Sequence, residues 1–337
     1  YAQSQIFPEA WLQDCREAFV IGSETALEEL RWYPMVQELA LAQLRNAQAA
    51  LENALRLASD SVGPDHFIKP VQSDLTLVAD LERMVRADRW DDLVESCAKP
   101  AFLAARGKPK NEDIDEELTE RVKALREEAK NQIRDLGKTV YTRPAAQMLA
   151  DLRSLHRPMA TLVGLVDEFG TKYTKAKQSR GLVNFSDLER LTLRLLLAPE
   201  STPERLIPSE TAWELQEQFS EVLCDEYQDI NPVQNALLGL VAGEYGGSVE
   251  TRPRLFVVGD VKQSIYRFRL AEPRIFLQRA AEAAESSGCR RVDLSANFRC
   301  RRTVVEGVNL LFRSFMSTTV GDVYYDARAA LVYRANY

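Results

Sequence analysis

The spacing of apolar residues changes character once along this chain. In its first part they recur every three or four positions, the signature of one buried helix face. Leu41, Leu44, Leu51 and Leu55 share such a face, with small Ala47 between them. Val122, Leu125, Ala129, Ile133 and Leu136 form a second series. Nothing there alternates at period two for long, so residues 1–180 are expected to be helical. Pro64 and Pro70 bracket a break, and KPKNEDIDEE (108–117) reads as a charged connector. After Gly181 three short apolar runs appear, at 222–224, 255–258 and 292–294. Helical segments at 214–219, 233–242 and 275–285 separate them. Strands alternating with helices predict a parallel sheet, whose ligands bind beyond the carboxyl ends of the strands. The expected organisation is α/β, with a helical lobe at 1–182 and a sheet-bearing part at 183–337.

Composition narrows the class without fixing a function. The chain has 337 residues, 45% hydrophobic and 28% charged, as in globular proteins with ordinary cores. No apolar run reaches the roughly eighteen residues of a membrane span. Tyr1 opens the sequence and no signal-peptide pattern follows it, so the chain is expected to be a piece of a longer protein. Five scattered cysteines (15, 97, 224, 289, 300) show no metal spacing, and only His66 and His156 accompany them. Reduced thiols in a cytoplasmic compartment are the expectation. The net charge of −7 gives no global nucleic-acid footprint. Basic residues are nevertheless concentrated: 289–302 holds five arginines and one acid, and TKYTKAKQSR (171–180) holds four basic residues and no acid. Both stretches suit a phosphate-binding groove, and the second taken alone equally suits a solvated surface.

Three motifs carry candidate chemistry. In CDEYQDINPVQ (224–234), Asp225 and Glu226 stand at the end of an apolar run. Carboxylates so placed can hold Mg²⁺ beside nucleotide phosphates and activate water, or can cap the next helix. In VVGDVKQSIYRFR (257–269), Gly259 and Asp260 reach the same edge. Gln263 can then meet a phosphate or its water. Tyr266 and Phe268, with Arg267 and Arg269, form an aromatic and basic cluster suited to stacking on bases. On a helix, Tyr266 and Phe268 would point in different directions, one to the core and one outward. In LSANFRC (294–300), Asn297 and Arg299 follow a run expected to be a strand; an arginine there can neutralise charge on a transferred phosphoryl group or make a surface ion pair.

The ordered set DEYQD, GDVKQSIYRFR and NFR resembles motifs II, III and IV of superfamily 1 helicases of the UvrD/Rep type. VNFSDLERL (183–191) resembles the DFDDL element of that family, with Asn184 in place of the usual acid. VKQSIYRFRLAEP, with Leu270 where glycine is usual, and DEYQDINPVQ together resemble AddA-type helicase–nuclease subunits, with RecB-like proteins the second choice. The tail GDVYYDARAALV (321–332) is similar to the AddA type too, and Cys300 replaces a common serine. The resemblance implies a partial RecA-like motor domain (1A) with an inserted helical subdomain (1B). It implies ATP and Mg²⁺ as cofactors, single- and double-stranded DNA as ligands, and an AddB-like partner subunit. It assigns Asp225 and Glu226 to Mg²⁺ and water activation. Gln228, Asp260 and Gln263 would belong to the nucleotide site, with Arg299 at the γ-phosphate. Tyr266, Phe268 and Arg269 would meet DNA. No G-x-x-x-x-G-K-[ST] loop occurs, so this chain alone is expected to hydrolyse ATP poorly or not at all. The alternative is a DNA-binding or partner-docking module with an incomplete nucleotide site. A nucleotide-binding protein unrelated to DNA would leave the ring cluster without a role.

Overall fold

The computed structural model describes residues 1–105, 114–246, 254–285, 288–317, 321 and 323–335. Positions 108–113 of the charged connector, and 322 of the tail, lie outside them. The helices in the first part are α1 (Pro8–Glu17), α2 (Tyr33–Ala58), α3 (Ile68–Arg86), α4 (Trp90–Ala98), α5 (Glu116–Thr139), α6 (Ala145–Ser154) and α7 (His156–Gln178). There follow α8 (Phe185–Leu196), α9 (Glu210–Gln218), β1 (Val222–Cys224), α10 (Pro232–Ala242), β2 (Leu255–Val257), α11 (Pro273–Glu285), β3 (Ala296–Asn297), α12 (Arg302–Phe315) and β4 (Val332–Tyr333). Two compact units contain them: residues 15–166, and residues 1–14 together with 167–337.

The unit of residues 15–166 is helical, and its core is a seam between α2 and its neighbours α3 and α5. Ala40, Leu44, Ala47, Leu51, Ala54 and Ala58 follow one another at alternating steps of four and three, and all are sealed from solvent. Val122, Ala129, Ile133 and Leu136 of α5 are sealed in the same way. Alanine at every second seam position lets helices approach closely, while the leucines fill the space between. Leu41, Leu55 and Leu125 are half-buried and flank the seam. An ion pair is buried against it. Arg126 donates through Nε to Asp74 Oδ2 at 2.6 Å, through Nη2 to Oδ1 at 3.2 Å, and also to the Leu103 carbonyl. A buried guanidinium is tolerated only when paired this completely. Trp90 packs edge-on against Tyr141 at 4.9 Å and donates Nε1 to the Arg143 carbonyl at 2.8 Å. Burial pushes the nearby Cys97 thiol up to about 11, which leaves it unreactive at neutral pH. The break in the pattern runs from Ser59 to Phe67, with Pro70 inside the first turn of α3, where a missing N–H is harmless.

The other unit is built around β1–α10–β2. The two strands are parallel, pairing Val222 with Leu255, Leu223 with Phe256 and Cys224 with Val257. Parallel neighbours need a crossover, and α10 supplies it. Asn231 caps α10: its Oδ1 accepts the Gln234 N–H at 2.8 Å, and Gln234 Oε1 accepts the Asn231 N–H at 3.1 Å. Gly243, at φ 79°, ends the helix in the left-handed conformation. Leu193 and Leu196 of α8, Ala212 of α9, and Val233, Ala236 and Leu240 of α10 make the core. Arg190 donates to the Gln5 carbonyl at 3.1 Å, fixing the N-terminal residues to α8.

The expected run at 292–294 is not a strand. Strand β3 begins two residues later, at Ala296, and pairs with β4 in parallel, Ala296 with Val332 and Asn297 with Tyr333. Among the described residues the sheet is thus two separate parallel pairs in a mostly helical chain. Val292 and Leu294 are exposed. Their apolar character is not matched by a backbone partner, and pairing decides where a strand forms. No helix among the described residues is long and apolar enough to cross a membrane.

Candidate functional site

The chain turns sharply at the carboxyl end of β1. Asp225 Oδ1 accepts the Glu226 N–H at 2.9 Å, and Glu226 takes φ 51°, a left-handed conformation that costs a non-glycine residue about 1–2 kcal/mol. Both residues are exposed, and the Glu226 carboxylate turns back toward Gln228. A 3₁₀ turn, Tyr227–Asp229, follows and carries the chain inward. Tyr227 is buried; its hydroxyl donates to Asn235, and Arg279 of α11 lies 5.4 Å over its ring.

Gln228 links the two strand ends. It is 1% exposed. Its Nε2 donates to Glu226 Oε2 at 2.6 Å and to Asp229 Oδ2 at 3.2 Å. Its Oε1 accepts the backbone N–H of Asp260 at 2.9 Å. The Ser264 hydroxyl donates to its carbonyl at 3.4 Å. Two backbone bonds, Val258 N–H to the Cys224 carbonyl and Tyr227 N–H to the Val258 carbonyl, both at 2.9 Å, complete the link. Glycine at 259 is what permits it. A Cβ there would lie 2.5 Å from Gln228 Oε1 and 3.2 Å from the Gln228 nitrogen. Gln228, expected at the nucleotide, therefore has its amide committed to neighbours of the chain.

Asp260 and Gln263 are together beyond β2. Gln263 Nε2 donates to Asp260 Oδ2 at 3.1 Å, and Lys262 Nζ lies 2.8 Å from Oδ1. Burial alone would raise the Asp260 carboxyl. The Lys262 ammonium, the Gln263 amide and the Lys262 N–H outweigh it and hold the group below its ordinary value.

The aromatic and basic residues do not lie on an α-helix. Arg267–Arg269 is a 3₁₀ turn, and Leu270 closes it at φ 69°. That conformation explains why glycine suits position 270, and leucine holds it here under strain. The turn gathers both rings on the surface instead of dividing them between core and solvent. Tyr266 is 38% and Phe268 76% exposed, and their centroids are 5.9 Å apart. The Arg269 guanidinium sits 5.1 Å from the first and 5.6 Å from the second. Arg299 belongs to a different setting. It follows β3, where Asn297 Oδ1 accepts the N–H groups of Arg299 at 3.1 Å and Cys300 at 2.8 Å.

The oxygen donors suit a hard cation only with help. Among the described residues no three of His, Cys, Asp and Glu converge to hold a metal. Two exposed carboxylates at one strand end fit Mg²⁺, which takes one or two protein oxygens and completes its shell with water and phosphate. Asp229 Oδ1, buried and without a hydrogen-bond partner, adds an acceptor behind them.

Sequence reasoning missed Glu189, and noted Asn184 only as a departure, not as a cap. Glu189 Oε1 accepts the Gln234 amide at 2.7 Å, and Oε2 accepts that of Asn231 at 3.2 Å, so α8 grips the cap of α10. No local signal connects residues this far apart. Asn184, where an acid is usual, caps α8: its Oδ1 accepts the Asp187 N–H at 2.9 Å. The following pattern N-x-x-D was a readable capping signal.

Comparisons with known proteins agree with the motifs. The model of the UvrD/REP helicase N-terminal domain matches residues 38–284. The chain is 42% identical to an ATP-dependent helicase/nuclease subunit of Moorella thermoacetica, over 100% of its own length and 24% of that protein. It is 38% identical to the protein of the same name from Pelotomaculum thermopropionicum, covering 26% of it. Against that of Anoxybacillus flavithermus the identity is 36%, and 27% of that protein is covered. The chain thus spans about a quarter of the length of these curated relatives. With most of its residues inside the family model and its strand-end motifs in family order, the chain belongs to the UvrD/Rep helicase N-terminal domain family.

Proposed function

We propose that this chain is part of an ATP-dependent DNA helicase, an AddA-like helicase–nuclease subunit that moves 3′→5′ along DNA in double-strand-break repair and recombination. Residues 183–337 form the C-terminal part of its RecA-like motor domain (1A), and residues 1–182 its 1B-like subdomain. Asp225 and Glu226 bind Mg²⁺ and orient the attacking water. Gln263 and Asp260 face the phosphates, and Arg299 neutralises the γ-phosphate. Mg²⁺, when bound with ATP, supplies charge neutralisation of the phosphates. Tyr266, Phe268 and Arg269 stack on the bases of the single strand. The further partners, in the cytoplasm, are duplex DNA and an AddB-like subunit. The 337-residue chain itself hydrolyses ATP poorly or not at all, because it contains no phosphate-cradling Gly-Lys loop.

One observation supports this reading above the rest. A single buried amide, Gln228, touches the carboxylate loop on one side and the backbone that leads to the ring cluster on the other. A change in charge at Glu226 therefore alters a hydrogen bond that reaches Asp260, six residues before Tyr266. That arrangement suits coupling of phosphate chemistry to a grip on bases. The test is single-strand affinity of the chain with Tyr266→Ala and Phe268→Ala together. Each lost stack is worth about 1–3 kcal/mol, so affinity should fall at least about tenfold. Unchanged affinity would remove the assignment. In the longer protein, Glu226→Gln should lower DNA-stimulated ATP turnover about 10²–10⁴-fold with strand affinity retained.

A further inference from the structure

We propose that the C-terminal half of α7 is a second contact surface for single-stranded nucleic acid, built on Phe169 and Tyr173 and edged by Lys172 and Arg180, with the buried Lys177 holding the Tyr173 ring. This surface shares its ligand class with the reading above but none of its residues. Phe169 and Tyr173 are one helical turn apart, so they project on the same side. Their rings are nearly parallel, inclined by 8°, with centroids 5.7 Å apart. Both stand in solvent: Phe169 is 67% and Tyr173 41% exposed. Lys172 and Ala176 fall on the same side by spacing. Lys177 reaches over the Tyr173 ring with Nζ 4.5 Å from its centroid. Asp187 fixes that ammonium from behind, at 2.6 Å.

Charge chooses the occupant. Residues 171–180 carry four basic side chains and no acid, within a chain of net charge −7. Two acids meet this stretch: Asp187 pairs with the buried Lys177, and Glu168 makes an ion pair with Lys172 in which both partners are well exposed. Such a surface pair contributes little, so a phosphate can take the lysine from it. Paired rings beside cations offer stacking to bases and neutralisation to the backbone. In a duplex the base faces are already stacked, which leaves the rings nothing to contact; an unpaired strand presents both groups. The same combination, two exposed rings with a cation against them, recurs at Tyr266, Phe268 and Arg269.

The test uses the 337-residue chain and a fluorescent oligothymidylate, with binding read by anisotropy at low salt. Phe169→Ala with Tyr173→Ala should weaken binding at least about tenfold, the scale of one lost base–ring stack. Tyr266→Ala with Phe268→Ala is measured beside it, and circular dichroism checks the fold of each variant. Unchanged affinity in a folded F169A/Y173A chain overturns this inference. If only Y266A/F268A loses affinity, this inference falls and the function proposed above stands; if only F169A/Y173A does, the reverse holds. Photocrosslinking of an iododeoxyuridine strand to the unaltered chain does not depend on any variant folding. Crosslinks within residues 167–180 support the surface. Crosslinks confined to residues 264–270, or no strand binding at all, overturn it, and leave a protein surface as the occupant of the rings.

Discussion

Gly259→Ala tests whether the two strand ends are locked together as described. The added Cβ would stand 2.5 Å from Gln228 Oε1, 3.2 Å from the Gln228 nitrogen and 3.3 Å from the Tyr227 nitrogen. Two of these are backbone atoms, and the third belongs to a buried side chain that has no room to turn. Moving Gln228 breaks its 2.9 Å bond from the Asp260 N–H and disturbs its donation to Glu226. Overpacking of this kind costs about 1–3 kcal/mol. The lost hydrogen bond adds about 1 kcal/mol. The sum, about 2–4 kcal/mol, should lower the melting temperature of this unit by about 4–16 °C, since a unit of its size shifts by roughly 2–4 °C per kcal/mol. Thermal unfolding followed by circular dichroism reads the shift. Gly307→Ala, on α12 of the same unit, is the control: a Cβ added there would meet nothing within 4 Å. It should raise stability by up to about 1 kcal/mol, as helix propensity alone dictates. A Gly259→Ala chain that melts within about 2 °C of the original would refute the lock.

Other outcomes follow from the two units. Arg126→Met leaves Asp74 buried without its partner, and should cost about 3–5 kcal/mol in urea unfolding, whereas Arg126→Met with Asp74→Leu should recover most of it. A double variant no better than the single would show that the pair is not the reason. Asn231→Ala removes the cap of α10 and should cost about 1 kcal/mol, read by the same urea midpoint. Asp187 is held below its ordinary value first by the Lys177 ammonium and then by the Asn184 N–H. A folded carboxyl lowered in this way stabilises the fold above the unfolded value of about 3.9 and loses that contribution as pH falls below it. The stability gap between the original chain and Asp187→Asn should therefore close as pH drops through about 4 toward 2. A gap that stays constant across that range would exclude the linkage.

The sequence by itself determined the chemistry on offer and the elements with strong local signals. Helical spacing marked α2 and α5 because a helix buries every third or fourth residue whatever it packs against. The runs at 222–224 and 255–258 read as strands because each is short, apolar and followed by turn-forming or acidic residues. Position 270 was readable as a departure, but not as a left-handed residue under strain. Tertiary structure decided what depends on residues distant in the chain. Val292 and Leu294 look like a strand, yet β3 forms at Ala296 because that is where β4 offers its backbone. Arg126 looks like a surface charge on a polar helix, and is buried because Asp74 reaches it from another helix. Gln228 looks like a group for ligands, and is enclosed because Gly259 lets a second strand end close over it. Tyr266 and Phe268 share one surface because a 3₁₀ turn, not an α-helix, sets their directions. Periodicity reports a residue's own element; burial, pairing and shared faces depend on partners that only folding brings within reach.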